Sequence, residues 1–281
     1  MLIASYAKIN LFLELLGRLP NQYHQVNTVL CSIDLFDELR FALTKSGSVK
    51  LWTQLPELNS DENLICRIAN YLRERFAVDK GAEIWLEKSI PIAAGLGGGS
   101  SNAAITLLAL NKLWQLGLSE NMMHEIAALF GSDINFFLTG GCALGENRGE
   151  RISPQADILI PHILLVNPGL RISAGTAYGA SELPAPGETK RFDPSNPVAT
   201  MFNRLESAVR KSYPIVDSVL QELEAFGALK SMLSGSGPTC IGIFEDANGL
   251  ARCQSHFEKM GYYTHQTRTI ARGEYQKCFP S

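Results

Sequence analysis

Residues 91–104, PIAAGLGGGSSNAA, constrain this chain more than any other stretch. Gly95, Gly97, Gly98 and Gly99 fall within five positions, followed by two serines, an asparagine and an apolar run. Glycine takes positive φ without penalty and lets a ligand approach the main chain. A polar turn that opens a helix leaves N–H groups unpaired at the positive end of the helix dipole. That is an anion site, most often for phosphate. The run Ala103, Ala104, Ile105, Leu107, Leu108, Leu110, Leu113 and Trp114 predicts a buried helix over 101–116. The turn therefore sits on a rigid element. No lysine follows the glycines, which excludes a P-loop. Ser100 stands where a dinucleotide fingerprint needs its last glycine, and no second strand ending in an acidic residue follows.

The rest of the chain bounds what binds there. Net charge is −3 over 281 residues, so no basic field suits nucleic acid, and an anionic ligand must be held locally. The six cysteines are scattered, as expected of reduced thiols rather than a disulfide framework or zinc site. The N-terminus lacks a basic leader region, and no apolar run reaches the roughly 18 residues of a membrane span. A cytoplasmic protein without membrane or nucleic-acid partners is expected; its oligomeric state stays open.

Along the chain, residues 2–16, 26–44, 47–55 and 82–90 read as strands, the second broken by the acidic LFDEL. Ser60 or Asp61 caps a helix over 62–76, and Ser119 caps one ending near Gly131. A short helix starts at Ser132 or Asp133. After a boundary near 153–160 come a buried strand (161–169), a proline-rich surface loop (180–197), helices over 198–211 and 214–226, and a second glycine turn before Cys240–Phe244. A helix over 247–260 and a last strand over 262–271 complete an α+β pattern.

Three segments in this order make the reading specific: A-K-I-N around Lys8, P-x-x-x-G-L-G-G-G-S-S-N-A-A around Gly95, and S-G-S-G-P around Gly235. Together they resemble the GHMP family of small-molecule kinases, which includes galactokinase, homoserine kinase and mevalonate kinase. Residues 5–39, with Tyr23-His24, and the double serine Ser100-Ser101 are similar to the branch whose alcohol acceptor carries a cytidine diphosphate. The resemblance runs over about 4–152 and resumes at 161–178 and 232–244.

It implies a two-domain α+β fold, with a ribosomal protein S5 domain 2-like N-terminal domain (1–155) and a ferredoxin-like α/β sandwich (156–281), and the site between them. ATP is the implied co-substrate. Pro91, Ile92, Ala93, Ala94, Gly95, Leu96, Gly97, Gly98, Gly99, Ser100 and Ser101 would wrap its phosphates, with Lys88 near the nucleotide. Gly235, Ser236 and Gly237 would support the phosphate loop. Mg²⁺ would be held mainly by phosphates and water, touched by Ser100 or Ser101. Asp133 matches the family's catalytic aspartate and Lys8 its partner; from the residues alone, Asp133 reads first as an N-cap. Tyr23 would stack on cytosine, His24 read its edge, Tyr178 complete the clamp and Asn10 contact the diphosphate.

The sequence departs from the family at three places. Asn21-Gln22 replaces Asp-Gly before Tyr-His, and since glutamine takes positive φ at a cost, the turn is expected to differ. Asn147 replaces a glycine, and asparagine tolerates that position. Ala174 replaces a threonine, so a polar contact is missing or moved to Ser173 or Thr176.

Overall fold

Two long antiparallel strands, β1 (Leu2–Arg18) and β2 (His24–Thr44), form the spine of the computed structural model, which describes residues 1–279. β2 continues through LFDEL, with a register shift against β1 at Asp34 and Leu35. The expected break does not occur because Asp37 is fully buried and bonded on all sides, not solvated. Beyond the short strand β3 (Val49–Thr53) comes α1 (Leu64–Arg75), whose N-cap is Asn63 rather than Ser60 or Asp61. The Asn63 side chain accepts from the Ile65 N–H at 3.0 Å, while Ser60 and Asp61 lie in the bend and turn just before it. β4 (Gly81–Glu87) then pairs antiparallel with β2 and parallel with β3.

α2 (Gly98–Leu113) begins three residues earlier than expected, directly on the glycine turn, with Gly97 at φ +72° before it. It is apolar nearly all round, and packs on the sheet against α1 and α4 (Ile134–Thr139). Each buried leucine or isoleucine contributes about 1.5–3 kcal/mol there. α3 (Glu120–Phe130), capped by Ser119, leads into α4. β5 (Cys142–Asn147) pairs with the start of β2, and β6 (Arg151–Pro154) with β5.

The second sheet holds β7 (Ile163–Asn167), β9 (Lys230–Leu233), β10 (Cys240–Ile243) and β11 (Tyr263–Thr267), in the order β11-β7-β10-β9 and antiparallel throughout. That is the order of a ferredoxin-like sandwich, with α7 (Pro214–Ala225) and α8 (Ala247–Lys259) packed on it. Between β7 and α7 lie α5 (Ala174–Ala180), the loop 181–201, β8 (Phe202–Asn203) and α6 (Glu206–Ser212). β8 corrects the helix expected over 198–211. Phe202 and Asn203 pair with Phe12 and Leu13 of β1, so tertiary pairing overrides the local helical pattern and the helix starts only at Glu206.

The last strand ends at Thr267, short of residue 271, because Thr269 and Ile270 turn back onto β2. α9 (Arg272–Tyr275) then returns the chain to the first core. Tyr275 is fully buried there, and its hydroxyl donates to the Phe137 carbonyl at 2.7 Å. Among the described residues no helix is long and apolar enough to cross a membrane.

Candidate active site

The period-2 geometry of β1 sends Lys8 and Asn10 to one face, and a register shift between Asn10 and Phe12 changes the alternation immediately afterwards. Lys8 Nζ donates to Asn10 Oδ1 at 2.7 Å and to the Gly95 carbonyl at 3.0 Å, and lies 3.5 Å from Asp133 Oδ2. Asn10 in turn donates to Thr28 Oγ1, which donates to the Phe12 carbonyl. Lys8 is 4 % exposed, so its ammonium is held by these partners rather than by water. Asp133 occupies the position before α4, but its side chain caps nothing. Between the two readings open in the sequence, the structure leaves this carboxylate free for other work.

The two glycine turns meet here. Gly95 lies so close to the second turn that a Cβ would come 2.1 Å from the Ser234 carbonyl oxygen. Ser234 Oγ donates to the Gly95 carbonyl, and Asn203 donates to the carbonyls of Leu233 and Gly235. A Cβ on Gly235 would stand 3.1 Å from both Lys8 Nζ and Asn10 Oδ1. The turn 235–237 thus backs the Lys8 side of the site, while Ser236 lines it.

Two cavities join along Gly95, Gly97 and Ser100. The first, of 430 Å³, takes in Pro91–Gly95 and Gly97–Ser100 with the N-terminal edge of α1. Leu96 and Ser101 do not line it: both are buried, Leu96 in the core and Ser101 accepting from Ser5 Oγ. Lys88 lies in its wall, yet its ammonium is committed to Asp37 Oδ2 at 2.7 Å and the Ile90 carbonyl at 2.6 Å. Burial pulls the Lys88 pKa down, and Asp37 opposes that pull. Asp37 is the residue sequence reasoning missed. It also accepts from the Ser89 and Ile90 N–H groups and from Asn102, and so pins both ends of the glycine turn.

The second cavity, of 590 Å³, holds Lys8, Asn10, Asp133, Tyr23, His24 and Tyr178 together. His24 and Tyr178 rings lie 5.5 Å apart. His24 is 8 % exposed and its Nε2 is buried without a partner. Burial, helped by the nearby Arg18 charge, holds its pKa below the ordinary value, so the ring is neutral at pH 7. Tyr178 has its phenol pKa raised by burial and then by the Asp133 charge. Tyr23 is exposed, with Arg148 5.3 Å from its ring centroid, a second contributor the sequence did not single out.

In the turn before Tyr23, Gln22 takes φ +69°, the costly left-handed conformation, held where Asn21 Oδ1 accepts the Tyr23 N–H and Leu19 pairs with both Gln22 and Tyr23. Asn147 takes φ +63°, as expected of asparagine at a glycine position. At Ala174, Ser173 and Thr176 hydrogen-bond each other at the head of α5.

A model of the GHMP kinases N terminal domain matches residues 63–141, and one of the GHMP kinases C terminal domain matches 188–262. The 4-diphosphocytidyl-2-C-methyl-D-erythritol kinase of Pelotomaculum thermopropionicum is 37% identical over 94% of this chain and 96% of its own length. The chain belongs to the GHMP kinase family. Another such relative, from Alkaliphilus oremlandii, is 35% identical over 95% of each chain. A crystal structure of 4-(cytidine 5'-diphospho)-2C-methyl-D-erythritol kinase superimposes with TM-score 0.82 at 30% identity, over 96% of this chain and 100% of the other. As a GHMP kinase the chain takes ATP as co-substrate.

Proposed function

We propose that this GHMP kinase transfers the γ-phosphoryl group of ATP to the 2-hydroxyl of 4-diphosphocytidyl-2-C-methyl-D-erythritol, a step of the non-mevalonate route to isoprenoids. One observation carries the reading: Lys8 and Asp133 stand where a glycine-walled cavity opens into a second cavity bearing Tyr23, His24 and Tyr178. The first would take the donor and the second the acceptor, the phosphoryl crossing at Gly95 and Gly97.

Phosphoryl transfer depends on positioning and charge stabilisation. Asp133 would orient the attacking hydroxyl and accept its proton. Lys8, 3.5 Å from Asp133, would fix the position of that carboxylate and offset charge on the migrating group. Tyr23, backed by Arg148, would offer its open face to cytosine, and the unpartnered Nε2 of neutral His24 would meet the base edge. Asn10 would contact the diphosphate. The donor set also fits Mg²⁺ carried chiefly by phosphate oxygens and water: no cluster of three or more His, Cys, Asp or Glu among the described residues is placed for a metal. Ser101 is engaged with Ser5, which leaves Ser100, lining both cavities, as the hydroxyl to touch it. The ion would neutralise phosphate charge.

The purified protein with ATP and Mg²⁺ is assayed against a panel of alcohols. Phosphorylation of the cytidyl compound and not of mevalonate or homoserine is expected. The reverse pattern would sink the proposal, and no turnover with any of them would favour a non-catalytic binding protein on this fold.

A further inference from the structure

Phosphoryl transfer makes no use of the thiols of Cys31 on β2 and Cys142 on β5. They are direct register partners, so both side chains leave the sheet on one face. The bond from the Ser32 N–H to the Gly141 carbonyl, 2.9 Å, makes theirs a non-hydrogen-bonded position. Facing Cα atoms at such a position are about 4.5 Å apart, within the roughly 4.4–6.8 Å that a disulfide spans. Both cysteines are free. Cys142 lines a 530 Å³ cavity with Phe12, Val29, Leu144 and Phe192, under the loop segment 189–194. Cys31 does not line it, so a molecule in this cavity meets Cys142 first. Electrostatics gives the same order. The Cys31 contact holds the Cys142 pKa below the usual thiol value, and the reciprocal contact with burial pushes Cys31 up.

We propose that Cys31 and Cys142 form a reversible thiol–disulfide site whose substrate is a small uncharged organic disulfide, R–S–S–R. The Cys142 thiolate attacks one sulfur, forming a mixed disulfide and expelling one RS⁻. Cys31 then loses its proton and attacks Cys142 Sγ, closing the cross-strand bond and expelling the second RS⁻. Two protein thiols are oxidised, one R–S–S–R is reduced, and the two protons leave with the two thiols. Most of the cavity wall is apolar and admits an uncharged reagent; Asn27, Gln155, Lys190 and Arg191 form its polar part.

The test exposes the folded protein to excess 2-hydroxyethyl disulfide, alkylates the remaining thiols in denaturant and maps the peptides by mass spectrometry. A peptide pair joined through residues 31 and 142, lighter by two hydrogens and restored by reductant, is expected, with the other four cysteines alkylated. Cys31→Ser should stop at a mixed disulfide on Cys142, and Cys142→Ser should leave residue 31 unmodified. Folded wild-type protein that yields no such linkage overturns the proposal. So does linkage that forms only once the circular dichroism shows unfolding.

Discussion

Asp133 stands at the head of a six-residue helix without capping it, and Lys8 is its nearest cation at 3.5 Å. If it acts as the base, Asp133→Asn keeps nucleotide binding and lowers turnover by at least about a hundredfold. Turnover close to wild type in a steady-state assay removes it from that role. Gln22 makes a different kind of claim. A non-glycine residue at φ +69° is strained by about 1–3 kcal/mol, partly offset by the freedom glycine adds to the unfolded chain. Gln22→Gly should therefore raise stability by about 1 kcal/mol, read from a urea midpoint. A lower midpoint would mean that the glutamine side chain contributes something its backbone hides. His24 carries a pH dependence. Because its pKa is held down, the neutral ring persists below the ordinary imidazole value near 6.5. KM for the cytidyl acceptor should stay flat from pH 8 to pH 6.5 and rise only in more acid solution.

At the scale of elements, β1 and β2 carry two carboxylates in their buried stretches, and each fastens something remote. Glu14, fully buried, takes a two-pronged contact from Arg204 at 2.7 Å and the Lys190 N–H at 2.8 Å, tying the loop 181–201 to the sheet. Burial alone would raise its pKa, but Arg204 and the Lys190 and Leu15 N–H groups hold it below the usual carboxylate value. A depressed folded pKa means stability present above the unfolded value, about 4.3, and lost as pH falls through the folded one. Glu14→Gln should cost about 3 kcal/mol at pH 7 and flatten the acid limb of the stability curve, followed by urea midpoints between pH 3 and 7. A limb as steep as wild type would assign acid sensitivity elsewhere.

The same two carboxylates mark the boundary of what the sequence conveys. Lys8 and Asn10 on one face, the glycine turn and the Tyr23-His24 hairpin are local patterns, legible from spacing alone. Asp37 sits 65 positions from Asn102 and Glu14 190 from Arg204, so an acidic residue in a strand looks like a break or a wet position until its partners arrive. The two-residue strand at Phe202 hides inside a helical pattern for the same reason, and Tyr275 gives no local sign that it fills the space beside Gly140.

Across the whole molecule, Gly95 is where the two sheets' turns touch. Gly95→Ala would drive a methyl into the Ser234 carbonyl and part the seam between them. Both KM values should rise together, for ATP and for the acceptor, with fold retained by circular dichroism. An effect on ATP alone would show that the second turn serves the donor side only.

The junction of the two cavities has a further consequence. The first cavity is shaped by a turn pinned from β2 and α2, whereas the outer wall of the second, the proposed acceptor side, comes from the hairpin at 19–24 and the head of α5. The two cavities share Gly95, Gly97 and Ser100 in their linings. On the proposed assignment, changes confined to one hairpin and one short helix would alter the alcohol taken and leave the ATP side untouched. The division of labour works like a fixed socket that accepts different tools.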